Sequence, residues 1–399
     1  VSNPSLRADR PAHIPATAVY DFDIHHDAGL LNDPHLRGLE LIRQAPPVFW
    51  TPFNGGHWMV INYKDAYAVP RLPEIYSSTL IPPEHIKMLE AMMPADSRLP
   101  QLIPIMLDPP DHTKFRLPLQ KAFSPKTIQG LQDDIVVLAH QLIDSVIEQG
   151  TCDFVASVAE QFPVRIFLKM MGLPEYRLAE FRALASEVFA PRENEAEVFF
   201  IMRKIADAMK DEIRLRREQP RQDLISLLWG IEVDGEPMSM ELMEDYAVLL
   251  FLAGLDTVIN AIGFGMHHLA RDHTLQKQLR ASPQLIPDAT EELLRRYTFT
   301  VQVRRTVQDT ELGGWTIKAG ERVLSYYPVA DLDENEFPDA ATFDVGRENK
   351  GHMALGLGRI AALARIWRGL NYKRCIALCW SACRRFGWTL KSRFTIVPV

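Results

Sequence analysis

One stretch limits the possible architectures more than any other. Residues 239–271 (SMELMEDYAVLLFLAGLDTVINAIGFGMHHLAR) read as a single helix of about nine turns. It opens on Ser239 with Glu241 in the first turn and is apolar nearly all round from Ala247 to Leu252. A helix apolar on every side has to lie inside a large core, so the remaining chain must supply the helices that surround it. No uninterrupted apolar run reaches the roughly 18–20 residues of a bilayer span, and residues 1–15 lack the apolar centre of a signal peptide.

Other helical patterns agree. Residues 128–150 place Leu131, Ile135, Leu138, Leu142, Ile143 and Val146 on one stripe, with Gly150 as a stop. Residues 196–217 are amphipathic and basic toward their C-terminal end, which suits the helix dipole. Residues 284–297 give one more helix. Strand signals are fewer. His57–Tyr63 alternates after the turn Asn54-Gly55-Gly56 and reads as a hairpin. Residues 300–327 show short alternating runs broken by Gly313-Gly314 and Gly320, as in a small antiparallel sheet. The expected fold is a single, mainly helical domain over residues 1–399, with minor sheets within 1–65 and 300–330.

Three short constellations carry chemistry. Within the long helix, Ala253-Gly254-Leu255-Asp256-Thr257 puts two small residues beside a carboxylate and a hydroxyl. Gly in a helix costs about 1 kcal/mol relative to Ala, and a buried Asp needs a partner. The Thr257 hydroxyl is placed to bond the Ala253 carbonyl and loosen the turn. A groove with a proton relay and a kinked core helix with a satisfied Asp both fit these five residues. Glu292 and Arg295 share a helix face at i, i+3, and Arg347 is a candidate third member. Pro110 suits a first helical turn, after which His112 and Arg116 stand at i, i+4. Two cations on one face call for an anion opposite or for solvent.

In order and spacing, these motifs resemble the soluble bacterial cytochrome P-450 family from about Tyr20 to Gly358. Tyr20-Asp21-Phe22-Asp23, Asn54-Gly55-Gly56-His57-Trp58 and Gly254-Leu255-Asp256-Thr257-Val258 are similar to its camphor-hydroxylase branch in particular. The resemblance implies the cytochrome P-450 fold and a heme b cofactor. His112, Arg116, Arg304 and His352 are then the cations for the heme propionates. Ala253 and Gly254 leave room for dioxygen and substrate, Thr257 supplies the hydroxyl of the oxygen-activating site, and Asp256 passes protons in from solvent. Glu292, Arg295 and Arg347 form a structural triad. Leu249, Leu252, Ile103, Ile105, Thr300 and Gln302 fall where that branch lines its substrate pocket. Residues 98–107 contain no tyrosine to bond a camphor ketone, so a compact apolar terpenoid or an aromatic is the implied substrate rather than camphor.

The chain departs from the family at the iron. The family's loop reads roughly F-G-x-G-x-H-x-C-x-G-x-x-L-A, with the cysteine thiolate holding the iron. Here Leu355-Gly356-Leu357-Gly358-Arg359 begins the loop, but Ala362 occupies the ligand position and Cys375 lies thirteen residues too late. Charge changes at the same place. Residues 1–348 hold 34 basic and all 51 acidic residues, a net −17; residues 349–399 hold ten basic residues and no acid. A one-nucleotide slip near Arg359 accounts for both. Each residue of the restored frame takes the last base of one codon and the first two of the next. Ile360, Ala361 and Ala362 then become His, Arg and Cys, and the text continues as H-R-C-x-G-x-x-L-A-R-x-E-L, in register with the family loop. The segment from about Ile360 is therefore read as out of frame.

The resulting expectation is a cytoplasmic heme-thiolate monooxygenase that hydroxylates a small hydrophobic substrate with O2. Electrons would come from a [2Fe–2S] ferredoxin and its NAD(P)H-dependent reductase, with Lys114 and the surroundings of Arg116 as the basic docking face. The acidic main body argues against nucleic acid as a partner, and no membrane partner is expected. The alternative is a non-catalytic chain of the same fold that lacks the thiolate.

Overall fold

The computed structural model describes residues 7–357 apart from 82, 92, 94–97, 148, 150 and 190–196. The cysteine-loop positions from Gly358 onward, Ala362 included, and the Gly150 stop lie outside the described residues. Nine short strands occur among them: β1 (Val48–Thr51), β2 (His57–Val60), β3 (Tyr76–Ser77), β4 (Glu232–Val233), β5 (Glu236–Pro237), β6 (Val301–Thr306), β7 (Thr310–Leu312), β8 (Trp315–Ile317) and β9 (Arg322–Tyr326). Everything else with regular structure is helical, and the chain divides into two compact units.

The first unit takes in the chain up to Leu80 and resumes at Phe264. The expected hairpin is present: β1 and β2 pair antiparallel with Trp50 opposite Trp58. Asn54, Gly55 and Gly56 all carry positive φ, the backbone state for which glycine and asparagine are suited. His57 to Val60 are all buried, because β2 is covered on both faces by separate clusters, one around Trp58 and Val60 and another around Met59 and Ile61. The expected pair of small sheets is corrected. β6 and β9 pair antiparallel, and β9 pairs parallel with β2, giving one mixed sheet in the order β1-β2-β9-β6-β3. Only β7 and β8 stand apart as a hairpin.

The second unit, Ile81–Gly263, is helical apart from the β4–β5 hairpin. The helix Pro125–Ile147 buries Ile135, Leu138, Leu142, Ile143 and Val146 of the expected stripe, and the side chain of Leu131, its first member, lies outside those described. The helix Glu197–Glu218 ends in Arg216 and Arg217. Arg216 is fully buried, yet its guanidinium is satisfied by Asp223 at 2.6 Å, Glu212 at 2.6 Å and the Gly172 carbonyl at 2.6 Å.

The long helix runs from Met240 to Arg271, with the Ser239 hydroxyl accepting the Leu242 N–H at 3.1 Å as its N-cap. Reading uninterrupted runs understated it: by length and composition alone it is long and apolar enough to cross a bilayer. Tyr246, Ala247, Val248, Phe251, Leu255, Ile262 and Leu269 are buried at intervals along its length, the packing of a core helix. The local widening expected at Ala253–Thr257 is not in the backbone, which is α-helical without interruption. The Thr257 hydroxyl does donate to the Ala253 carbonyl at 2.9 Å, and the helix absorbs this bond without changing its pattern.

Candidate active site

In the second unit, the helix Asp111–Ala122 begins after Pro110 and buries His112 and Arg116, which are 3% and 6% exposed. The solvated-face alternative for this pair is therefore excluded. The helix is held to the long helix by the Tyr246 hydroxyl, which donates to the Phe115 carbonyl at 2.6 Å. Lys114 faces outward and pairs with Asp234 at 2.7 Å.

The long helix carries the second group of candidates. Leu249 is buried, and Leu252 is partly buried. A side chain built on Gly254 would meet nothing within 4 Å, so this face of the helix opens onto space. Asp256, two residues on, stands about 200° round the helix from Gly254 and is partly buried. Burial pushes its carboxyl up to about 6, against the opposing effect of the Asn260 amide, which donates to it at 2.9 Å. Ile103 and Ile105 are partly buried on the segment preceding Asp108.

In the first unit, the helix Ile286–Arg296 places Glu292 and Arg295 entirely out of solvent. Arg295 Nε and Nη2 donate to the two Glu292 oxygens at 2.9 and 2.8 Å, and Arg347 Nε joins Oε1 at 3.0 Å. Arg295 also donates to the carbonyls of Asp331 and Ala340, both at 2.9 Å. The three residues named as a triad are thus brought together, and they pin the segment 331–347 to the helix.

Arg304 is buried on β6, and His352 is 9% exposed. The His352 Nδ1 accepts the Ala354 N–H at 3.2 Å, and Nε2 lies 3.5 Å from the Glu291 carboxylate. Thr300 donates to the Ala354 carbonyl at 3.1 Å. The Gln302 amide meets the Tyr327 hydroxyl and, in the orientation that satisfies both neighbours, its oxygen accepts from the Arg304 guanidinium. The side chain thus braces Arg304.

One group was not legible. Asp331 is completely buried, accepts the Thr298 hydroxyl at 2.5 Å and the Met353 N–H at 3.0 Å, and is pushed up to about 7 by burial. It holds the start of the loop that leads toward Gly358. Nothing in the run Val329-Ala330-Asp331-Leu332-Asp333 marks Asp331 as the aspartate with no exposure at all.

The second unit buries His112 and Arg116 and the first buries Arg304 and His352, in each case an arginine and a histidine whose nitrogens suit a carboxylate. Such nitrogens fit the propionate side of heme. The axial side does not fit the chain as written, since no cysteine lies between Cys152 and Cys375.

Comparison with known proteins bears on the family and the fold. The family model described as "Cytochrome P450" matches residues 188–352. A protein named probable cytochrome P450 127A1 from Sinorhizobium fredii is 29% identical, covering 87% of this chain and 84% of its own. The mycinamicin IV hydroxylase/epoxidase of Micromonospora griseorubida is 30% identical, covering 77% of each. The crystal structure of CYP101J2, of the camphor-like branch, superposes with a TM-score of 0.83 at 31% identity, covering 95% of this chain and 92% of that one. The chain belongs to the cytochrome P450 family of heme b monooxygenases.

Proposed function

We propose that the protein, in the reading frame restored after Arg359, hydroxylates a compact hydrophobic substrate of terpenoid or aromatic type with electrons from a [2Fe–2S] ferredoxin in the cytoplasm. The observation that carries the reading is the Asp256–Thr257 pair, a partly buried carboxyl pushed up to about 6 next to a hydroxyl that stands about one turn from the open position at Gly254. Heme, when bound through a thiolate, supplies dioxygen activation. His112, Arg116, Arg304 and His352 would hold its propionates, with Gln302 and Tyr327 keeping Arg304 in place. Asp256 takes a proton from solvent and releases it at its carboxyl, a role suited to a group titrating near the working pH. Thr257 presents its hydroxyl on the same helix turn and has its own proton donated to the Ala253 carbonyl, which fixes the hydroxyl oxygen. Leu249, Leu252, Ile103 and Ile105 exclude water and favour an apolar substrate. Glu292, Arg295 and Arg347 hold structure and touch no substrate. Lys114 and its surroundings are the candidate basic face for an acidic ferredoxin.

Carbon monoxide added to the reduced holoprotein tests the reading. With the restored segment, a strongly red-shifted Soret band is expected; an imidazole-like or absent band overturns the enzyme reading. The chain as written should lack the shifted band, and its presence there would refute the frame slip. The family match ending at His352, ahead of Ile360, supports the slip. The second reading, a chain of this fold without catalysis, is carried by Ala362 alone, and intact mass of the C-terminal peptide separates the two. Thr257→Ala should raise peroxide release relative to hydroxylated product. Unchanged coupling of electrons to product removes Thr257 from the relay.

A further inference from the structure

Two adjacent buried acids on the long helix hold two other elements. Asp245, whose side chain is 4% exposed, accepts Arg98 Nη2 at 2.7 Å and the Gln101 N–H at 2.8 Å on Oδ1, and Arg98 Nη1 at 3.2 Å on Oδ2. Arg98 Nη2 also donates to the Glu241 carbonyl at 2.7 Å. The neighbouring Glu244 accepts Arg203 Nη1 at 2.8 Å from the helix Glu197–Glu218, and the same nitrogen reaches the Arg98 carbonyl at 3.3 Å. The Leu99 N–H donates to Glu90 at 3.1 Å. Beyond Gln101, the segment is closed by its own turns, Ile103 N–H to the Gln101 carbonyl at 2.9 Å and Met106 N–H to the Leu102 carbonyl at 3.0 Å.

The two partners differ in freedom. Arg98 is 27% exposed and can turn into water, whereas Asp245 cannot follow it. Burial pushes the Asp245 carboxyl upward and Arg98 opposes that, so the acid's charge depends on the arginine staying. We infer that Arg98 and Asp245 are positioning residues that hold the segment 98–107 to the long helix and thereby set where Ile103 and Ile105 stand as a substrate wall. The inference rests on the reading of those two isoleucines as wall residues. Closed, the pair fixes the wall. When Arg98 turns outward, Gln101 loses a charged acceptor and the segment is released.

Hydrogen exchange on the full-length holoprotein tests this. Losing a hydrogen bond to a charged group is worth roughly 1.5–3 kcal/mol, which converts to about 10- to 100-fold in local opening. Arg98→Met should speed exchange at the Leu99, Gln101, Ile103 and Met106 amides by that factor, with the Pro125–Ile147 amides unchanged. Arg98→Lys should restore part of the protection, and Asp245→Asn should reproduce the Met variant. The inference is overturned by unchanged exchange in the segment, by an equal rise across both regions, or by no rescue with lysine. A parallel arm adds saturating 1,8-cineole, a compact terpenoid probe, to the unmodified protein. Slower exchange at Ile103 supports the wall. No slowing, with Arg98→Met still accelerating the segment, leaves the pair standing and removes the wall assignment.

Discussion

Glu292→Gln is expected to lower the stability of the protein by about 3–5 kcal/mol, the usual consequence of removing one partner from a buried ion pair. The glutamine has nearly the same volume, so packing is preserved and only the charge is lost. Glu292 accepts from Arg295 twice, from Arg347 Nε at 3.0 Å and from the Asp344 N–H at 3.1 Å. The variant leaves two guanidinium groups facing a neutral amide, one of them with no exposure at all. Urea titration of both proteins would show the loss as a lower midpoint with an unchanged slope. Asp309→Asn is the matched control, since its pair with Lys318 is solvent-exposed and should leave the midpoint where it is. A Glu292→Gln midpoint equal to the parent's would remove the triad from any account of stability.

Asp331 is expected to give the protein a pH dependence of the opposite sign to ordinary acid unfolding. Its carboxyl is pushed up to about 7 in the folded chain from an ordinary value of 3.8. Between those values the folded state keeps a proton that the unfolded state has released. The stability this contributes is complete below pH 4, falls as pH rises through 7, and is flat above. The size is of the order of a few kcal/mol. The charged and titratable groups acting with it are Arg295, which lowers the value, and Tyr63 and Tyr327, whose own values Asp331 raises; the Thr298 hydroxyl and Met353 N–H stabilise its charged form. Asp331→Asn removes the ionisation and keeps an oxygen for those two donors. Stability curves of parent and variant should diverge from pH 4.5 to about 7 and keep that gap up to 8.5, the variant being the more stable at the alkaline end. Parallel curves would mean that Asp331 stays ionised throughout.

What the sequence disclosed follows from how far each interaction reaches. The long helix was legible because its periodicity is local, and Glu292 with Arg295 because i, i+3 is a helix-face spacing. Arg347, fifty-five residues beyond Glu292, could be named only as a candidate partner, and the resemblance gave it the third place in the triad. The β2–β9 pairing was illegible, since neither strand carries a mark of the other, and alternation cannot report that both faces of β2 are covered. The partners of Gln302 were illegible for a similar reason. Position on a strand says which face a residue shares, not that Tyr327 and Arg304 meet its amide. Thr257 shows the reverse case, a contact foreseen from spacing whose expected effect on the helix did not follow.

The register of the mixed sheet also has a consequence during synthesis. Trp58 on β2 pairs with Val323 on β9, so 265 residues separate the two edges. At about 5–20 residues per second, roughly 13–50 s pass before the ribosome delivers the partner strand. Throughout that interval the free edge of β2, with buried-type residues on both faces, is a template for wrong pairing. The first unit therefore cannot complete its sheet until nearly the whole chain exists, and the yield of native protein in a cell will depend on what shields that edge while it waits.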